Sequence, residues 1–172
     1  MISELAIPNL LANDLKILFI GINPGLRSAA IQHHFAGHSN CFWKLLADSG
    51  ITPKRLQPEA DNLLLNYGYG VTNIVPRTTA TAAELTREEF LSGSQRLMEL
   101  LQEYQPRIAA FLGKDTYRYM VRGNTFNWGL QQQNIIHPVI DFVLPNPSGL
   151  NRMPYQVQLQ WYCQLKIKLD SL

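Results

Sequence analysis

The sequence predicts a three-layer α/β domain, helices on both faces of a central, mostly parallel twisted sheet. Three observations carry this. Short apolar runs rich in branched side chains recur at 16–21, 107–112 and 139–144; they fit strands buried on both faces. Helical stretches stand between them, and alternation of strand and helix produces a parallel sheet covered on both sides. The chain has 172 residues, 46% apolar and 16% charged, which suits one domain with its own core and excludes disorder.

The elements follow in order. Residues 16–21 form the first strand and run into Gly21-Ile-Asn-Pro-Gly25, a loop by composition. Residues 26–39 read as irregular. Asn40 caps a helix reaching about residue 49, with Phe42, Leu45 and Leu46 apolar and Gly50 at its end. A short helix is predicted over 59–66, and 71–75 is a second strand broken by Pro76. Thr86-Arg-Glu-Glu89 is a capping box and starts a long helix to about residue 104, with Leu91, Leu97, Met98 and Leu101 as its apolar positions. Residues 107–112 form the third strand, and Gly113 opens a helix through about 121. A short strand falls within 126–136. Residues 139–144 are a further strand ending in Pro145-Asn-Pro-Ser-Gly149, and 156–169 close the chain as a helix. No repeat or long linker intervenes, so 1–172 is expected to be a single domain.

Fifteen Lys and Arg against thirteen Asp and Glu leave a net charge of +2, which points neither to nucleic acid nor to a membrane surface. The distribution is uneven. Residues 1–103 carry 8 basic and 10 acidic groups, and 104–172 carry 7 basic and 3 acidic. A polyanion would therefore be met by the C-terminal part. Cys41 and Cys163 are too few for a disulfide framework or a cysteine-rich metal site. No apolar run has the length of a membrane span, and the N-terminus lacks a signal pattern. A soluble, cytoplasmic protein without membrane partners is expected.

In open α/β sheets, ligands bind beyond the carboxyl ends of strands. Two loops qualify, 21–25 and 146–152. Each follows an apolar strand and contains an Asn-Pro pair. Pro24 biases Asn23 toward an extended backbone. The Asn23 amide offers one acceptor and two donors; it can orient a water or a substrate but is no efficient general base. A purely structural turn, with Asn23 as a local cap, is the alternative. The loop matches neither the Walker pattern nor GxGxxG. His33, His34 and His38 cluster nearby, but no carboxylate stands at matching spacing and Cys41 is the one nearby soft ligand. Neither metal nor cofactor is expected.

GINPG followed by GLRSAA, HHF, a glycine and N-x-FWK closely resembles the mismatch-specific uracil/thymine-DNA glycosylases, the Mug/TDG branch of the uracil-DNA glycosylase superfamily. Further blocks match in order: Tyr69-Gly-Val-Thr-Asn-Ile-Val-Pro-Arg-Thr-Thr79, Tyr104-Gln-Pro-Arg-Ile-Ala109, Phe111-Leu-Gly-Lys114 and Leu144-Pro-Asn-Pro-Ser-Gly-Leu-Asn-Arg152. The resemblance spans about residues 8–165. It implies a monofunctional enzyme that flips a base from G-mispaired double-stranded DNA and cleaves its N-glycosidic bond, acting as a monomer without cofactor. Asn23 matches the catalytic asparagine that positions the attacking water. Phe35 matches the ring against the flipped base, and Ile22 and Phe35 offer backbone contacts to it. Leu150 matches the wedge that fills the vacated stack, and Gly149 and Arg152 match contacts to the widowed guanine. Lys114, at a helix start suited to an anion, and Ser148 are the candidate phosphate contacts, with a solvated surface lysine as the alternative for Lys114. No lysine stands in the matched catalytic loops, so lyase activity is not expected.

The chain mixes two subtypes. The NPSGL-x-R loop resembles the bacterial enzymes, whereas His34, Asn73 and Thr79 resemble the animal thymine glycosylases, in which such residues shape the base pocket and organise water. Ser28 resembles the bacterial type, and its hydroxyl would crowd a thymine methyl group. The expectation is robust uracil and ethenocytosine removal and weak thymine removal. Two other classes stay open at this point: a catalytically inactive lesion-binding module, and a small-molecule nucleotide hydrolase.

Overall fold

A computed structural model describes residues 6–121, 123 and 125–172. Five strands, β1 (Ile17–Gly21), β2 (Tyr69–Asn73), β3 (Ile108–Leu112), β4 (Gly129–Leu130) and β5 (Ile140–Leu144), form one sheet in the order β2-β1-β3-β5-β4. All pairs are parallel except β4–β5. Helices α1 (Leu26–Ile31), α2 (Phe42–Asp48), α3 (Arg87–Tyr104), α4 (Lys114–Arg118) and α5 (Tyr155–Asp170) accompany it, with a 3₁₀ segment at Pro58–Tyr67.

The alternating side chains of each strand build two cores. Ile17, Phe19, Val71, Ile108, Ala110, Phe142 and Leu144 face α2, the 3₁₀ segment and α5 through Phe42, Leu45, Leu64, Tyr162 and Leu165. Leu18, Ile20, Ala109, Phe111 and Val143 face α3 through Phe90, Leu97, Leu100 and Leu101. Full burial of a leucine, isoleucine or phenylalanine stabilises by roughly 1.5–3 kcal/mol, so both layers are needed to cover a sheet that is apolar on both sides.

The predicted α/β class is the observed one, with local differences. Residues 26–39 are not wholly irregular: Leu26–Ile31 is a six-residue helix ended by Gln32 in the left-handed region. Its buried residues are the small Ser28 and Ala29, which leave no apolar stripe to read. The second strand begins two residues earlier than 71 and ends at Asn73. Leu91 is 57% exposed; Phe90, about 100° away round the helix, faces the core in its place, on the same side as the expected Leu97 and Leu101. The helix after Gly113 ends at Arg118, and the strand within 126–136 is only Gly129–Leu130. The capping box is present: Glu89 N donates to Thr86 Oγ1 at 3.2 Å and Thr86 N to Glu89 Oε2 at 2.7 Å.

One buried charge stands out. Asp141 on β5 is fully buried. Its Oδ2 accepts from the Tyr117 hydroxyl at 2.9 Å and from Ile135 N at 3.0 Å, while no partner reaches Oδ1 among the described residues. Burial pushes its pKa up to about 6, against the pull of those two hydrogen bonds. Between the ordinary aspartate value, about 4, and about 6, the folded protein holds a proton that the unfolded chain has lost. Stability therefore falls as pH rises through this window. Asp141→Asn should remove that dependence, gaining up to about 3 kcal/mol relative to wild type between pH 4 and pH 7. Urea unfolding of both proteins across that range checks it; a constant difference would refute the assignment.

Candidate active site

The site is built where β1 and β2 end together. Gly21 pairs with Asn73, and the ladder continues past the strands, with Ile74 N on Gly21 O at 2.9 Å and Val75 N on Ile22 O at 2.8 Å. A Cβ at residue 21 would lie 2.5 Å from Asn73 Oδ1, so only glycine lets the Asn73 amide lie across the strand end. Pro24 then stops the strand, and Asn23 projects into the next layer of loop.

Three bonds fix the Asn23 amide. Nδ2 donates to the Arg77 carbonyl at 2.9 Å, to Thr79 Oγ1 at 2.7 Å and, more weakly, to the Pro24 carbonyl at 3.3 Å. Two of these partners are carbonyls, which can only accept, so the nitrogen must face them. Among the described residues no donor engages Oδ1, which remains as the acceptor end of a residue lining the cleft. Thr79 in turn donates to the Thr81 carbonyl at 2.7 Å. The Arg77 guanidinium is anchored on Glu89 at 2.6 and 3.0 Å, and its hydrogen bond is the chief cause holding the Glu89 carboxyl down to about 2. The capping box of α3 thus reaches the Asn23 amide through one arginine.

The opposite wall is the His33-His34-Phe35 segment. The buried Asp61 carboxylate accepts from His34 N at 2.9 Å and lies 3.1 Å from His33 Nδ1. Trp43 Nε1 donates to the His34 carbonyl at 3.2 Å. His34 Nε2 lies 2.9 Å from the Pro8 carbonyl and so carries a proton. Burial lowers the ring's pKa; the neutral ring then has Nδ1 as an acceptor. Phe35 adopts φ of +53°, uncommon for a bulky residue, and stacks on Phe42 at 3.8 Å. Ser28 Oγ accepts from Ala36 N at 2.9 Å.

The third wall is the loop after β5. Ser148 N donates to Asn146 Oδ1 at 3.0 Å, Leu150 N to Ser148 Oγ at 3.2 Å, and Asn151 Nδ2 to the Asn146 carbonyl at 2.9 Å. Cys41 N donates to the Pro147 carbonyl at 3.0 Å, tying the loop to the start of α2. A Cβ at Gly149 would lie 2.0 Å from Ser39 Oγ, so glycine permits the contact between the two loops. Leu150 projects with 76% of its surface exposed.

Together these walls enclose a cleft of about 460 Å³, the size of a small-ligand site. Ile22, Asn23, Ser28, His34, Phe35, Asn73, Thr79, Ser148, Gly149 and Leu150 all line it. Two predicted residues do not. Lys114 instead sets its ammonium 4.7 Å from the centre of the Trp128 ring, and Arg152 lies exposed beyond Leu150. The lining also includes Ile7, Asn146 and Asp115, which were not anticipated. Asn146 carried a signal, since it begins the second Asn-Pro pair; Ile7 and the supporting Asp61 carried none, because chain folding alone brings them near. No group of three or more potential metal ligands exists among the described residues.

A mostly parallel sheet with an amide-lined cleft at its strand ends, a stacked aromatic in one wall and an exposed leucine at the rim defines an α/β protein with a small-ligand site beyond its strand ends. The family profile described as the uracil DNA glycosylase superfamily matches residues 8–166, and the chain belongs to that superfamily of DNA glycosylases. It is also similar to the solution structure of a candidate uracil DNA glycosylase from Methanosarcina acetivorans. That match has 20% identity and a TM-score of 0.67, covering 97% of this chain and 98% of the other. At this identity the likeness shows the shared fold.

Proposed function

We propose that this chain is a monofunctional, mismatch-specific glycosylase of the Mug/TDG type. It flips uracil and related damaged pyrimidines such as ethenocytosine out of G-mispaired duplex DNA and hydrolyses the N-glycosidic bond, initiating base excision repair. The carrying observation is the Asn23 amide on a residue lining the cleft, tied by its nitrogen to Arg77 and Thr79 so that its oxygen is left as an acceptor.

The chemistry follows from that arrangement. Breaking the bond places positive charge on the sugar and negative charge on the departing base, which preorganised dipoles stabilise without a strong base. Asn23 Oδ1 accepts a hydrogen bond from water and aims it at the sugar carbon. A neutral amide removes a proton poorly, so bases that depart readily are preferred. Phe35, supported from behind by Phe42, stacks on the extruded ring, and the amides of Ile22 and Phe35 contact its edge. His34, Asn73 and Thr79 shape the pocket and order water. Leu150 fills the gap in the stack, as apolar wedges do elsewhere. Gly149 and Arg152 meet the widowed guanine, and Ser148 and Lys114 contact phosphates. Extrusion costs least at a mismatch, which favours G·U over normal pairs. The protein acts as a monomer in the cytoplasm, on the nucleoid.

Three variants test this. In single-turnover assays on a G·U duplex, Asn23→Ala should lower excision by about 10²-fold or more while retaining lesion binding; unchanged turnover rejects the mechanism, and no abasic product even from wild type favours a binding module. Leu150→Ala should lose at least about tenfold more rate on duplex uracil DNA than on the free nucleoside, consistent with an extrusion cost of a few kcal/mol; equal losses would argue for a nucleotide hydrolase. Ser28→Ala should raise G·T excision by about tenfold through added room for a methyl group. It should also lose about 1–3 kcal/mol of stability because Ala36 N loses its acceptor. Thymine removal no faster than wild type would refute the steric account.

A further inference from the structure

The segment preceding β1 is part of the cleft. Ile7 lines it at 7% exposure, as deep as Ser28 at 5% and Asn73 at 8%. Its position is fixed by its neighbours. Leu10 and Val71 exchange backbone hydrogen bonds of 2.9 Å in both directions, an antiparallel bridge on β2. Thr72 Oγ1 donates to Asn9 Oδ1 at 2.9 Å, and the adjacent Pro8 carbonyl accepts from the His34 ring at 2.9 Å. Because β2 is an edge strand, this arm also covers backbone groups that would otherwise stand open. Covering the edge does not require a side chain in the cleft. Ile7 supplies one all the same, a branched aliphatic group among polar residues that are themselves held by backbone bonds. Leu112, another buried aliphatic in the lining, comes from β3 on the other side of β1.

We infer that Ile7 is a specificity-determining residue: carried by the N-terminal arm, its side chain limits the size of the substituent that a pyrimidine held in the cleft can bear. This rests on the glycosylase reading above. One methylene in an apolar pocket changes discrimination by about tenfold or more, and isoleucine differs from alanine by three carbons.

The test uses the full chain and its Ile7→Ala and Ile7→Phe variants on duplexes with guanine opposite 5-fluoro-, 5-bromo- or 5-iodouracil. The halogens grow in size while each base remains a better leaving group than thymine. The readout is the ratio of iodo to fluoro single-turnover rates within each protein, which is independent of the folded fraction. Ile7→Ala should raise that ratio by about tenfold or more and Ile7→Phe should lower it by about tenfold. If Ile7→Ala does not fold, the fall in Ile7→Phe decides alone. A ratio that stays within about twofold of wild type in the folded variants, set against that tenfold expectation, overturns the inference while leaving the glycosylase reading intact. A wild type that releases none of the three bases overturns both.

Discussion

The hydrogen bonds from Asn23 Nδ2 to the Arg77 carbonyl and Thr79 hydroxyl are the constraint around which the site is organised. An asparagine amide is symmetric in outline, and its two ends are chemically opposite. Two carbonyls on one side settle which end is bound to the protein and which is left as an acceptor. That choice depends on the 77–81 loop, which is held by Arg77 on Glu89 at the start of α3 together with Thr79 N on the Pro24 carbonyl and Thr79 Oγ1 on the Thr81 carbonyl. A surface ion pair of this kind stabilises little by itself. Here its importance is positional, because it couples a helix cap to the orientation of one amide.

The other two walls follow the same logic. Asp61 fixes the backbone before Phe35, and Phe42 fixes the ring. Asn146, Ser148 and Asn151 spend their side chains on their own loop, with Cys41 joining it to α2. Most polar groups around the cleft thus have one end committed to the protein. A pocket assembled this way presents few, fixed hydrogen-bonding ends, which is how selectivity arises from neutral groups.

The fold was legible because buried parallel strands are continuous apolar runs. β1, β3 and β5 sit within a residue of the stretches read from the sequence, and the capping box places the start of α3. Phase and length were less legible. Leu91 and Phe90 are adjacent, and only packing against β1 and β3 decides which turns inward. Helix α1 was missed because small residues on its buried side leave no periodic signal. In the site, ten of the twelve named residues line one cleft: Ile22, Asn23, Ser148, Gly149 and Leu150 lie on the two loops that follow β1 and β5, and folding brings Ser28, His34, Phe35, Asn73 and Thr79 to them. Lys114 could be placed at a helix start, but its preference for the Trp128 ring depends on a residue fourteen positions away. Ile7 and Asp61 were invisible for the same reason: their roles exist only after folding brings three segments together.

The internal bonding of the loop that carries Leu150 has a consequence for recognition. Three prolines, Pro145, Pro147 and Pro154, and three side-chain bonds set the leucine in place before any ligand arrives. With Leu150 read as the proposed wedge, the ordering entropy of the loop backbone that carries it is lost once, on folding, and not again at each encounter. On the proposed reading, a duplex pressed against such a fixed point must do the yielding itself. Discrimination then becomes a mechanical comparison: the protein is a stiff gauge, and the quantity it measures is how weakly a given base pair holds its place in the stack.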